Sequence, residues 1–340
     1  MISTLPSITS SDRILLTGAT GFTGGVLARK LCATGAHVRA IARASSDISS
    51  LSDLDIEWVR GDVYDPDVVR EASKDVTYVF SLATAYREGD AGENIFQRVH
   101  VDATKRLAEE AAANPGLKRF VHVSTVGVHG HIDSPPADEN YRWAPGDTYQ
   151  ETKAEAERWI TTFAKTKNIP LTIIRPAAIY GPGDRRLLKL FKMAAKPVFV
   201  VVGRTDTWYH LIHVEDLCDA MMLAAVHPAA LHEPFICGNP DAVRVSEMGR
   251  IIATTLGKPF RLWRLPAGPL FAAAAVCEAI CKPFGISPPL YKRRVAFFTK
   301  DRRFDTRKLH DVLGFEPRFT DADGLRQTAQ WYIEKGWLSS

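Results

Sequence analysis

The chain has 340 residues, 46% of them apolar and 24% charged, which suits an ordinary globular core built as one large domain or two modest ones. A formal net charge of +4, evenly spread, is too small for a nucleic-acid footprint. The five cysteines, Cys32, Cys218, Cys237, Cys277 and Cys281, lack metal-ligand spacing and read as small apolar residues in a reducing compartment.

Met1 to Ser10 shows no basic region followed by an apolar run, so no secretory signal is expected and the cytoplasm is the expected compartment. Arg13-Ile-Leu-Leu-Thr17 is a short apolar run that reads as a buried strand. Gly18-Ala-Thr20-Gly21-Phe22-Thr23-Gly24 follows. Beyond it Val26, Leu27, Leu31 and Cys32 share one helical face. A strand, a glycine turn and a helix make a phosphate cradle. Gly18 permits the turn, Gly21 lets backbone approach a diphosphate, and Gly24 lets helix and strand pack closely. The helix N–H groups and dipole then face the anion.

Further strands are expected at His37–Ala42, Ile56–Val59, Val76–Phe80, Phe120–Val123 and Leu171–Ile174, with an amphipathic helix over Val101–Ala113. This alternation predicts a parallel sheet covered by helices on both sides. Ser124 and Thr125 end one strand at its carboxyl edge, where ligands bind in such sheets. Tyr149-Gln-Glu-Thr-Lys153 places a phenol and an ammonium on one helical face at i,i+4. A phenol titrates near pH ~10, too high for proton transfer at neutrality unless a cation stabilises the phenolate, and Lys153 supplies one. His122, His129 and His131 lie close in sequence, but strand alternation splits the first two, and no metal site is expected.

After Gly183 repeated prolines punctuate shorter elements, which suits a smaller lobe. Within it the segment from Leu265 to Ile280 is nearly uncharged, yet too short and interrupted to span a bilayer. It reads as a packed helix, or as a face that rests on a membrane or admits an apolar substrate. Lys282, Lys292, Arg293 and Arg294 follow it, so peripheral membrane contact would run through 265–294.

Together the glycine turn from Thr17, the Ser124-Thr125 pair, the Tyr-x-x-x-Lys, Arg175-Pro-Ala-Ala-Ile-Tyr-Gly-Pro-Gly183 and Ile212-His-Val-Glu-Asp216 follow the order of the extended short-chain dehydrogenases/reductases. The chain resembles that family from about Asp12 to Trp337. Ser287-Pro-Pro-Leu290, Arg303-Phe-Asp305 and Leu313-Gly-Phe-Glu-Pro317 are similar to its sterol-dehydrogenase-like and dihydroflavonol-reductase-like branch. The resemblance implies an α/β fold with a Rossmann-type doubly wound parallel sheet. Its dinucleotide-binding domain would span 1–183, with the chain returning near 205–240. A smaller mixed substrate-binding lobe would occupy mainly 184–340, and a homodimer is implied.

By the same resemblance Tyr149 exchanges a proton with the substrate oxygen, while Lys153 steadies the phenolate and the nicotinamide ribose. Counting back from Gly130 gives Thr125 as the orienting hydroxyl, with Ser124 as the alternative. Gly18, Thr20, Gly21, Phe22, Thr23 and Gly24 would hold the diphosphate, and Asp62 and Val63 the adenine. Leu82, Ala83 and Thr84 would line the middle of the cofactor, and Pro176 would meet the nicotinamide amide. His213 is expected to pack rather than react. His100 stands where asparagine is common, with no function attached.

Cofactor type is read at the end of the second strand, where a carboxylate would grip the adenosine ribose and repel a 2′-phosphate. Ala42 occupies that place. Arg43, Ser45 and Ser46 offer a planar cation and hydroxyls, so NADP(H) is expected, with NAD(H) the alternative. The leading function is interconversion of a secondary alcohol and a ketone on an apolar substrate. A nucleotide-sugar epimerase or dehydratase with tightly held NAD is the second reading, with Arg185, Arg186, Lys189, Arg204 and Arg293 to hold a substrate diphosphate. A non-catalytic NADP sensor is the third.

Overall fold

The computed structural model describes residues 6–85, 94–203, 207–281 and 301–338. Seven parallel strands form the main sheet. In chain order its elements begin with β1 (Arg13–Thr17), α1 (Phe22–Ala33), β2 (His37–Ala42), β3 (Ile56–Arg60), α2 (Pro66–Ala72) and β4 (Tyr78–Ser81). There follow α3 (Ala103–Ala112), β5 (Arg119–Val123), α4 (Thr148–Lys167) and β6 (Leu171–Pro176). A later strand, Pro234–Cys237, completes the spatial order: that strand, then β6, β5, β4, β1, β2, β3. The order reverses beside β1, and in doubly wound sheets the ligand crevice lies at that switch point.

Strands β4 and β6 are buried at every residue, as expected for a parallel sheet covered on both faces. Ile14, Leu16 and Phe80 pack with Leu27 and Leu31 of α1 on one side. Leu15, Val79 and Phe120 pack with Leu107 of α3 and Ile160 of α4 on the other. Helix caps come from local chemistry. The Asp147 carboxylate accepts the Gln150 N–H at 2.9 Å and so starts α4, the ordinary acidic N-cap.

Three boundaries differ from the sequence reading. Val76 and Thr77 precede β4 instead of starting it, because the Thr77 hydroxyl accepts the Arg13 N–H and donates to Asp12. Gln97–Asp102 is a π-helical turn leading into α3, so the expected helix starts irregularly. Of the return expected near 205–240, the part at Ile212 does not enter the main sheet. Leu211–His213 pairs in parallel with Ala178–Tyr180, whereas Phe235 does join the sheet, beside β6.

After β6 the chain runs through β7 (Ala178–Tyr180), α5 (Leu188–Ala194), β8 (Phe199–Val202), β9 (Trp208–Tyr209), β10 (Leu211–His213), α6 (Val214–Val226) and β11 (Pro234–Cys237), the strand that completes the main sheet. It continues with β12 (Val243–Arg244), α7 (Val245–Thr255), β13 (Leu262–Leu265), α8 (Ala267–Cys281), α9 (Arg307–Leu313) and α10 (Asp321–Glu334). Helices α6 and α9 pack in the main core through Leu217, Met221, Leu309 and Leu313, while a second core gathers Phe191, Phe199, Met248, Ile252 and Tyr332. Helix α8 packs through Ala274, Leu270 and Phe271 against Val202. Among the described residues no helix is long and apolar enough to cross a membrane. Arg204, Lys282, Ser287 to Leu290, and Lys292 to Arg294 lie outside the described residues.

Candidate active site

The carboxyl ends of β1 to β6 open onto one cavity of about 870 Å³, within the range of small-molecule and cofactor sites. At its floor Gly18 has φ +77°. A Cβ on Gly24 would collide with the Gly18 carbonyl, so only glycine lets α1 start this close to β1. Gly21 is the N-cap of α1 and brings no side chain to its first N–H groups. Those donors are left for an anion. The Thr17 hydroxyl accepts the Leu82 and Ala83 N–H groups at 3.0 and 3.1 Å, which fixes the end of β4 beside the turn.

At the end of β2 Ala42 is buried, and Arg43 stands exposed just beyond it. The Arg43–Ser46 turn is closed by Ser46 N–H on Arg43 C=O at 2.9 Å. Arg60 holds it further by donating to the Arg43 and Ser46 carbonyls. Past β3, Asp62 and Val63 line the cavity together with Tyr64. The Tyr64 ring lies under the Arg98 guanidinium at 3.9 Å. Burial and a hydrogen bond to Asp62 push the Tyr64 phenol up.

At the other end β5 delivers Ser124 and Thr125, and α4 delivers Tyr149 and Lys153; all four line the cavity. The buried Lys153 donates its Nζ–H to Val123 C=O at 2.6 Å. Burial lowers its pKa from 10.5 to about 8, with Glu157 pulling the other way. Thr125 Oγ1 accepts the Gly127 N–H at 3.0 Å and keeps a hydroxyl proton to donate. Ser124 Oγ is buried without a protein partner. A bound group would satisfy it, so both hydroxyls are placed to serve.

Thr84 connects this centre to His100. The ring Nε2 of His100 accepts the Ala85 N–H at 3.1 Å, with the Thr84 hydroxyl 3.0 Å away. Nδ1 therefore carries the proton and faces the Thr152 hydroxyl at 2.8 Å. Burial, with Lys153 nearby, lowers the His100 pKa to about 3, so the ring is neutral. It stands edge-on to Tyr149 at 5.3 Å. Thus the residue without an assigned function ties the wall after β4 to the helix that carries Tyr149 and Lys153.

The sequence-predicted cofactor and catalytic residues Gly18, Thr20, Gly21, Phe22, Thr23, Gly24, Arg43, Ser46, Asp62, Val63, Leu82, Ala83, Thr84, Thr125, Tyr149, Lys153 and Pro176 line this one cavity, whereas Ser45 does not. The glycine cradle and the orphaned Ser124 hydroxyl fit a dinucleotide with its reactive end at Tyr149. Sequence reasoning missed Tyr64, Ile95 and Val99, which also line it, and named Arg186, a further lining residue, only as a cation for a substrate diphosphate. Ile95 and Val99 carried a faint signal, an apolar pair at i,i+4.

His213 is placed elsewhere. Its Nδ1 accepts the Glu215 N–H at the start of α6, and its ring packs 3.9 Å from Phe319. His129 bonds the Tyr141 carbonyl and Arg175, while His122 is fully enclosed. Among the described residues no group of three potential metal ligands assembles. Helix α8 does not line the cavity.

Comparison with known proteins agrees with this arrangement. Residues 14–238 match the NAD dependent epimerase/dehydratase family. The UDP-glucose 4-epimerase of Vibrio cholerae is 27% identical over 329 residues, covering 94% of this chain and 95% of its own. The 3 beta-hydroxysteroid dehydrogenase/Delta 5-->4-isomerase of Mycobacterium tuberculosis is 27% identical over 342 residues, covering 96% and 91%. The crystal structure of gox2253 superposes with a TM-score of 0.80 at 27% identity, covering 96% of this chain and all of that one. The chain belongs to the NAD dependent epimerase/dehydratase family, and it is an NAD(P)-dependent enzyme of the extended short-chain dehydrogenase/reductase type.

Proposed function

We propose that this enzyme interconverts a secondary alcohol and a ketone on an apolar substrate, with NADP(H) as its exchangeable cofactor. The observation that carries the reading is the meeting of Tyr149, Lys153 and the Ser124 and Thr125 hydroxyls on the cavity that holds the glycine cradle. When bound, the nicotinamide supplies or takes the hydride. Tyr149 gives its phenol proton to the ketone oxygen in reduction and takes it back in oxidation. Lys153, fixed by Val123 C=O, favours the phenolate through its charge. Thr125, or Ser124, donates a hydrogen bond that holds the substrate oxygen in place.

Support for NADP(H) comes from Ala42 and Arg43, since no acid stands at the end of β2 to repel a 2′-phosphate. Arg43→Ala is expected to weaken NADPH binding by about 1.5–3 kcal/mol, the range for a hydrogen bond to a charged group, and to leave NADH binding nearly unmoved. Equal weakening of both would remove the case for NADP(H). An apolar substrate is favoured by the likeness to the mycobacterial enzyme, whose name specifies a steroid.

The epimerase relative supports a second reading, a nucleotide-sugar epimerase or dehydratase that retains NAD. Mass spectrometry of the purified protein after denaturation separates the two. Retained NAD would favour the epimerase, and an empty site would favour the reductase. A homodimer, checked by sedimentation velocity, and docking of the exposed face of β13 and α8 on an anionic bilayer complete the proposal.

A further inference from the structure

We propose that Arg186 is a preset cation for the diphosphate of the bound dinucleotide. This rests on the dinucleotide occupying the cavity, with either NADP(H) or NAD(H). Arg186 lies beyond β7, yet it lines the cavity beside Gly21, Phe22, Thr23 and Gly24, the first turn of α1. Its guanidinium carbon is 5.8 Å from the centroid of the Phe22 ring. The loop before it sits equally close, for a Cβ on Gly183 would touch that ring at 3.6 Å. A segment of the second lobe thus reaches over the glycine turn and brings a positive charge with it.

The side chain is held before any ligand arrives. Its Nε–H and backbone N–H both donate to Asp184 Oδ1 at 3.0 Å, and Nη2 donates to Ile179 C=O at 2.9 Å. Asp184 is itself fixed. It is buried, its Oδ2 accepts the Leu187 N–H at 3.0 Å, and its carbonyl accepts the Tyr332 hydroxyl. A guanidinium so constrained loses little rotamer freedom when an anion binds. At 38% exposure the Arg186 side chain remains hydrated at the cavity edge, so the charge carries no large burial penalty while it waits.

The anion this suits is a diphosphate. The uncapped N–H groups of α1 and the Arg186 guanidinium line the same cavity from two elements, and two phosphoryl groups offer acceptors to both. A diphosphate could come from the cofactor or from a nucleotide-sugar substrate, and the placement beside the glycine turn favours the cofactor.

The test is calorimetric titration of Arg186→Gln with NADPH, NADH, ADP-ribose and adenosine 2′-phosphate, and of the NADP⁺-loaded protein with UDP-glucose. NADPH, NADH and ADP-ribose are each expected to bind roughly 10–100-fold more weakly, as for loss of a charge-assisted hydrogen bond. Adenosine 2′-phosphate, which lacks the diphosphate, should bind within about twofold of the parent protein, a small fraction of the RT ln 10 that marks a tenfold change. Arg186→Lys keeps the charge and should recover part of the loss. Unchanged dinucleotide binding, equal weakening of adenosine 2′-phosphate, or a lysine variant no better than glutamine would each overturn the proposal. Weakening confined to UDP-glucose would overturn it too and assign Arg186 to a substrate. A parent protein that binds neither dinucleotide would instead bring down the cofactor reading beneath it.

Discussion

At the scale of single residues, the site divides into groups that touch the reaction and groups that hold them. Tyr149→Phe keeps the ring contact with His100 but removes the proposed proton carrier. Turnover is expected to fall by on the order of 10²–10⁴, the usual effect of losing a general acid, while cofactor affinity barely changes. Activity within about threefold of the parent would place the proton transfer elsewhere. Lys153 makes the opposite kind of prediction, about stability. Its folded pKa lies near 8, below the 10.5 of an exposed lysine. Between those values the unfolded chain holds a proton that the folded chain has released, so stability rises with pH across that window. Below it a buried charge is carried at a cost. Lys153→Met should therefore be more stable than the parent at pH 7 by about 1–3 kcal/mol, and the gap should narrow from pH 8 to 10.5, while dinucleotide binding weakens. Urea melts at three pH values would show it; a less stable variant at pH 7 would mean that the bond to Val123 outweighs the burial. Tyr149 and Lys153 were legible because their chemistry dictates their spacing. His100 was not, because its three partners come from Thr84, Ala85 and Thr152, far apart in sequence.

The element that ranks first is the β1–turn–α1 unit. Neighbouring glycines in it have opposite tolerances. A Cβ on Gly24 meets the Gly18 backbone, whereas one on Gly25 meets only the Ala19 carbonyl at 3.5 Å and Leu51 at 4.0 Å. Gly24→Ala is expected to destabilise by about 1–3 kcal/mol, as overpacking against backbone does, and to abolish dinucleotide binding. Gly25→Ala should stabilise by about 0.5–1 kcal/mol through helix propensity and leave binding intact. Chemical denaturation with NADPH titration measures both, and equal behaviour of the two variants would refute the packing argument. This unit was readable because strand, turn and helix each leave a local signature. Pairing of β10 with β7, and of the two-residue strands β9 and β12, left none, since strands of two or three residues have no period to detect. The π turn at Gln97–Asp102 escaped for a related reason: its apolar spacing still resembles an α-helix.

For the whole molecule, the surface bears on where an apolar substrate would come from. Of six exposed large hydrophobics among the described residues, four fall in one excursion: Trp263, Leu265, Val276 and Ile280. Trp263 is 61% exposed, and Arg261 and Arg264 flank it, both exposed. An indole beside arginines suits the boundary between headgroups and acyl chains. Helix α8 has fifteen residues, about 22 Å of rise, so it is short of a bilayer core and suited to lie along one face. The sequence announced this segment by its apolar run but could not say which side faces out. Packing of Ala274, Leu270 and Phe271 on Val202 turns Val276 and Ile280 outward. The protein is expected to float with vesicles of phosphatidylcholine and phosphatidylglycerol and to float less with phosphatidylcholine alone, because the arginines require an anionic partner. Trp263→Ser with Ile280→Ser should abolish flotation while turnover of a small water-soluble ketone stays unchanged, since neither residue lines the cavity. A parent protein that remains at the bottom with both vesicle types would end the idea. If the double variant instead lost a concentration-dependent association in sedimentation, the face would be covered by a second copy of the chain, and the substrate would have to arrive through water.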